Sequence, residues 1–158
     1  MDDEIAGFML MAAKFEFFLI NLNPNFAHVH GKTKVVTGVN WDRVSESLED
    51  IHPFDEFRLE DSGFQTLKET APHFLIEAEN GGFRWDSDEV KITSWQILLR
   101  RGYAQLRNNV AHGNKAQLPA PFTAHRTKEF LAAGHNLIHF IAATYSQDDM
   151  LRYPVQFR

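Results

Sequence analysis

The chain's most chemically capable run of side chains is Arg107-Asn108-Asn109-Val110-Ala111-His112-Gly113, which sets a guanidinium, two carboxamides and an imidazole within about two helical turns. It lies inside an unusual stretch. From Lys91 to Lys128 there are seven basic residues, Lys91, Arg100, Arg101, Arg107, Lys115, Arg126 and Lys128, and no Asp or Glu. Because the whole chain has a formal net charge of −5, the rest of it carries −12. A solvated helix face usually mixes both signs, so an acid-free segment in an acidic protein points to a site for anions such as phosphate.

The element that positions these groups is the clearest helix in the sequence. It starts at Thr93 or Ser94, places Trp95, Leu99, Gly102, Tyr103, Leu106 and Val110 on one face, and ends near Gly113. At about 100° per residue, Arg100 and Arg107 fall on one line outside the apolar stripe, with Arg101, Asn108 and His112 on a neighbouring line. Ile97, Ala104 and Ala111 form a narrow strip between them, and its two alanines would let another helix approach closely, a natural place for a two-fold partner. A helix C-terminus by itself explains Gly113 as a left-handed cap and partly explains basic side chains near the last turn. It does not explain two adjacent asparagines inside the helix, where their amides compete with backbone bonding, so something further selects Asn108 or Asn109.

The remaining elements are also mostly helical. Residues 4–22 read as a first helix, apolar on nearly every side, with Phe8, Met11, Phe15, Phe18 and Leu19 as its strongest stripe; such a helix needs cover on two sides. Asn23-Pro24-Asn25 stops it, residues 26–39 read as a loop with room for a short strand at 34–36, and Asn40 caps a second helix to about Ile51. Residues 52–90 are expected to form short helices and loops around Gly63 to Thr70 and Pro72 to Glu79. Pro119 and Pro121 mark a connection. A last long helix from about Ala124 to Tyr145 buries Phe130, Leu137, Ile138, Ile141 and Tyr145, and Tyr153 to Arg158 is expected to be extended. With no repeat and no long strand alternation, the expectation is an all-α fold in a single domain spanning residues 1–158.

Composition narrows the function classes. Fourteen Phe and three Trp supply a core that needs no disulfide or structural metal, and the absence of Cys removes thiolate zinc sites, redox motifs and cysteine nucleophiles. Lys14 and Glu16 interrupt the apolar start and Asp2, Asp3 and Glu4 precede it, so neither a signal peptide nor membrane insertion is expected, and the chain is placed in the cytoplasm. His30-Gly31-Lys32-Thr33 resembles the end of a phosphate-binding loop, but Phe26 stands where the first glycine belongs and Lys34-Val35-Val36 where a helix should begin. His135 and His139 have a zinc-compatible spacing without the intervening Glu of a metalloprotease, so no metal or other cofactor is expected.

Arg107, Asn108, His112 and Gly113 resemble the motif of the HEPN superfamily, an Arg and a His with four to six residues between them, often with Asn after the Arg and Gly after the His. The likeness is specific over about residues 93–116, near the end of a penultimate long helix. It implies a bundle of four to five main helices with short extra helices and loops, and a homodimer that brings two motifs together across a cleft. It also implies metal-independent RNA cleavage by 2′-hydroxyl attack, as in toxin-antitoxin, antiviral-defence or stress systems. In that reading His112 exchanges the proton, Arg107 holds phosphate oxygens and Asn108 orients one of them. Arg100, Arg101, Tyr103 and Lys115 become candidate RNA contacts, Tyr103 by stacking, and the partners are RNA, a second copy of the chain and an antitoxin or regulatory protein. On a straight helix Arg107 and His112 stand about 140° apart and about 7.5 Å along the axis, so the site would be completed by fraying or dimerisation. The alternative is a non-catalytic dimer that binds RNA or protein, and a third is a structural domain whose Phe-rich first helix faces a partner.

Overall fold

The computed structural model describes residues 2–56, 63–69, 71–86, 90–111, 124–146 and 150. Helix α1 spans Asp2–Leu22, as the apolar spacing predicts, and Asp3 and Glu4 put negative charge near the positive end of its dipole. Asn23 then accepts a hydrogen bond from the Asn25 amide at 3.0 Å and starts a single 3₁₀ turn, Pro24–Phe26. Ile5, Phe8, Ala12, Phe15, Phe18 and Leu19 are buried, each large side chain contributing about 1.5–3 kcal/mol, while Met11 is only partly covered. Among the described residues cover on the far side is incomplete: Leu10 and Phe17 are 48% and 51% exposed. By length and composition this helix could cross a membrane, yet its strongest apolar stripe is committed to the protein core.

Two small antiparallel hairpins amend the all-α expectation. The first pairs β1 (Ala27–Val29) with β2 (Val36–Val39), with an irregularity in register between His28 and Val29. Its tip is His30-Gly31-Lys32-Thr33, closed by Lys34 N–H to the His30 carbonyl at 2.9 Å and followed by a strand, so the Gly-Lys-Thr run is a hairpin tip and not a phosphate loop. The second pairs β3 (Leu75–Glu77) with β4 (Phe83–Trp85), where short helices or a loop were expected over Pro72 to Glu79. Asn80-Gly81 provides the turn: Gly81 sits at φ +85° and its N–H reaches the Ala78 carbonyl. Asn-Gly between short β-prone runs is a hairpin signal, and it was present in the sequence.

Helix α2 (Trp41–Ile51) begins at Asn40, whose side chain accepts from the Arg43 amide at 3.2 Å as an N-cap. A short α3 follows at Gln65–Glu69. Residues 95–111 form one continuous helix, α4, capped by the Ser94 hydroxyl on the Ile97 amide. It changes character along its length: Trp95–Ile97 is α-helical, Leu98–Ala104 is π-helical and Gln105–Ala111 is α-helical again. Helix α5 (Ala124–Tyr145) has the predicted bounds. Phe130, Leu137, Ile138 and Ile141 are buried as predicted, whereas Tyr145 is half-buried with its hydroxyl on Ser47.

The described residues make one hydrophobic core, with α1 packed against α5 and α4 beside both. Gly134 lets α5 come close, since a Cβ there would stand 2.6 Å from Phe8 and 3.0 Å from Leu106. At one end Trp95 stacks on Phe140 and donates its indole N–H to the His52 carbonyl at 2.7 Å, so this large ring is buried with its polar atom satisfied. At the other, Trp41, Phe15 and Tyr103 meet edge to face or tilted, tying α1, α2 and α4 together.

Candidate functional site

Arg107 projects from the last turns of α4 toward α1. Its Nη2 donates to Glu16 Oε1 at 3.0 Å and its Nη1 to Asn108 Oδ1 at 2.8 Å, so carboxylate and carboxamide fix the plane of the guanidinium from two sides. The Arg107 side chain is 29% exposed and that of Glu16 is 18%, a partly buried pair at the surface of the bundle. Arg107 Nε is buried and has no hydrogen-bond partner among the described residues.

Tyr103 completes the group by donating its hydroxyl to Glu16 Oε2 at 3.2 Å. Burial raises the Glu16 carboxyl above its ordinary range, against the opposing pull of the Arg107 charge and the hydrogen bonds from Tyr103 and Arg107. Burial, and then the negative charge of Glu16, hold the Tyr103 phenol well above its usual value, so it remains a proton donor to Glu16. Tyr103 is fully buried, which corrects its assignment as a stacking platform for RNA: no base can reach a ring enclosed by Phe15 and Trp41.

The asparagine pair divides into two roles. Asn108 orients Arg107. Asn109 donates to the His73 carbonyl at 3.0 Å and accepts from Gln105 Nε2 at 2.8 Å, binding α4 to the segment that leads into β3. That tertiary tie supplies the reason for an asparagine at 109 that a helix end alone did not. His112, Gly113 and Lys115 lie outside the described residues; His112 follows Ala111 directly.

The alignment of Arg100 with Arg107 also needs correction. Across the π-helical turns, bonds run from i to i+5 and each residue turns less than in an α-helix, so facings counted at 100° per residue are lost. Arg100 instead meets α2, donating to Asp42 Oδ2 at 2.8 Å, while Gln96 donates to Asp42 Oδ1 at 2.7 Å. Arg101 lies with its guanidinium 4.0 Å from the Phe74 ring centroid, a cation–π arrangement, and its Nε is buried without a partner among the described residues.

Arg100 and Arg101 line a cavity of about 730 Å³ that the sequence did not reveal. Its walls come from β1 (His28), α2 (Trp41 and Asp42), the approach to β3 (Phe74) and α4 (Ile97, Ala104 and Gln105). Ile97 and Ala104 are partly buried and line this cavity, and Ala111 is exposed, so among the described residues no helix covers the strip assigned to a partner. Among the described residues no group of three or more His, Cys, Asp or Glu could hold a metal; His135 and His139 stack at 6.5 Å, with Phe8 edge-on to His135.

Chemically, the arrangement offers one oriented guanidinium at the head of the Arg107–His112 run and a second, separate basic cavity. No family model matches the chain, and no curated protein or solved structure is significantly similar to it.

Proposed function

We propose that the chain is a HEPN-type, metal-independent endoribonuclease that works as a cytoplasmic homodimer. The observation that carries this reading is the state of Arg107: half-buried, held by Glu16 and Asn108, and five positions before His112. A guanidinium whose plane is set in advance loses little freedom on meeting a phosphate, the condition under which a positive group stabilises developing negative charge best. In this reaction the RNA 2′-hydroxyl attacks the adjacent phosphorus, and the bond to the 5′-oxygen breaks. A proton leaves the attacking oxygen and another reaches the departing one. His112 exchanges protons and Arg107 neutralises the charge on the phosphate oxygens, giving a 2′,3′-cyclic phosphate and a 5′-hydroxyl. The two-fold partner supplies the second motif, and toxin-antitoxin or antiviral systems, with a neutralising protein, are the setting.

One observation favours a second reading. Glu16 already balances the charge of Arg107 at 3.0 Å, as in a structural ion pair, which suits a non-catalytic dimer that binds RNA or protein. Cleavage separates the two. Purified protein is incubated with a mixed RNA pool in excess chelator, beside an Arg107→Ala, His112→Ala double variant whose fold and dimer mass have been checked. Fragments ending in 2′,3′-cyclic phosphate, reduced about 100- to 10,000-fold in the variant, are expected. RNA retained by the wild type without cleavage would refute the enzyme and leave the binding module.

A further inference from the structure

The proposed reaction leaves the 730 Å³ cavity unused, although its size is that of a site for a small organic ligand. Its hydrogen-bonding character can be read from the groups around it. The His73 carbonyl can only accept, so Asn109 presents Nδ2 to it and Oδ1 to Gln105, whose Nε2 is thereby committed as donor. Gln105, only 8% exposed, then has its carbonyl oxygen left as an acceptor at the cavity wall. On the β1 side, the Thr37 hydroxyl donates to the His28 carbonyl at 3.2 Å and so accepts from His28 Nδ1 at 2.8 Å, which leaves Nε2 of the neutral ring as a second acceptor.

Charge is distributed unequally. Arg100 is matched by Asp42, whereas Arg101 has no carboxylate partner among the described residues and carries a buried, unpartnered Nε. A buried donor without an acceptor is unfavourable, and it is set here in a π-helical segment, a geometry found often at functional sites. The cavity thus combines one uncompensated cation, aromatic walls from Phe74 and Trp41, and two hydrogen-bond acceptors.

We infer that this cavity binds one nucleoside monophosphate unit, with its phosphate at Arg101 and its base edge at the Gln105 carbonyl oxygen. A single free cation suits a single phosphate, and the Asp42 carboxylate disfavours a longer phosphate chain. The same chemistry is presented by a free mononucleotide and by one residue of an RNA strand; only the second case rests on the ribonuclease proposal.

Calorimetric titration of the intact protein with adenosine and uridine monophosphates, adenosine, inorganic phosphate and an eight-nucleotide RNA tests the assignment. One site per chain is expected, with at least one monophosphate bound tenfold or more tighter than adenosine or phosphate. Arg101→Met keeps an apolar stem while removing the guanidinium that lies over Phe74, and is expected to weaken binding at least tenfold. Ala104→Leu, which fills the cavity without altering its charge, is a second variant should the first fail to fold, and it should weaken binding similarly. Competition between RNA and the mononucleotide would identify the strand as the source, and its absence the free nucleotide. No saturable binding at millimolar concentrations, or wild-type binding by the folded variants, would overturn the inference. Nucleotide binding without RNA cleavage would sink the ribonuclease and leave the cavity assignment standing; cleavage without nucleotide or RNA binding at Arg101 would do the reverse.

Discussion

Replacing Glu16 and Arg107 singly and together measures how far the two charges depend on each other. Glu16→Gln keeps an oxygen to accept from Tyr103 and removes only the charge, and Arg107→Met keeps the apolar stem. At a separation of 3.0 Å, attraction between unit charges is about 1.4 kcal/mol in water and about 5.5 kcal/mol at an effective dielectric of 20. With side-chain exposures of 18% and 29%, and with solvent screening discounted, a coupling of about 2 kcal/mol is expected. Arg107→Met should cost about 1–2 kcal/mol, because the Glu16 charge is left partly buried, whereas Glu16→Gln should cost little at pH 7, because burial of the carboxylate offsets its attraction to Arg107; the double change should cost about 2 kcal/mol less than the sum. Urea unfolding of the four proteins at pH 7 gives the coupling. The same cycle near pH 4 should show it shrink, since Glu16 is protonated there. Burial raises the folded carboxyl above its ordinary value of 4.5, so the stability linked to its proton is full below 4.5 and is lost as pH rises through the folded value. Wild-type stability should therefore fall relative to Glu16→Gln over that window. A coupling below about 0.5 kcal/mol at pH 7, the range of independent sites, would refute the claim that Glu16 holds Arg107 in place.

Gly134→Ala gains about 1 kcal/mol in helix propensity but forces a methyl to within 2.6 Å of Phe8, and overpacking costs about 1–3 kcal/mol; a net loss of about 1 kcal/mol, read as a lower urea midpoint at constant m, is expected. An unchanged midpoint would mean that α1 and α5 are free to separate. Burial, and then His139, hold His135 below its ordinary imidazole value, so its contribution is present above pH 6.5 and is lost as pH falls through the folded value. The stability of His135→Gln should accordingly fall less steeply than that of the wild type between pH 7 and 5, and parallel curves would count against the assignment.

The sequence by itself determined where the chain becomes helical. Asn40 and Ser94 cap helices because their side-chain oxygens reach amides two or three residues on, a local matter, and the apolar periodicity of 2–22 and 124–145 needs no distant partner to be read. The Arg107–His112 run of polar and basic side chains was legible in the same way, from neighbours in sequence. The β3–β4 hairpin was legible too, in Asn80-Gly81, but its strands are too short for alternation to stand out.

Tertiary structure decided the rest. Glu16 stands 91 positions before Arg107, and nothing in local spacing selects it over the other acids of an acidic chain. The π-helical turns reassign Arg100 to Asp42 and Arg101 to Phe74, and the packing of Phe15 and Trp41 encloses Tyr103. Helix periodicity fixes only which residues share a face. Which face meets which neighbour depends on how the bundle closes, a long-range balance of burial and hydrogen bonding that sets both the Arg107 group and the cavity beside it.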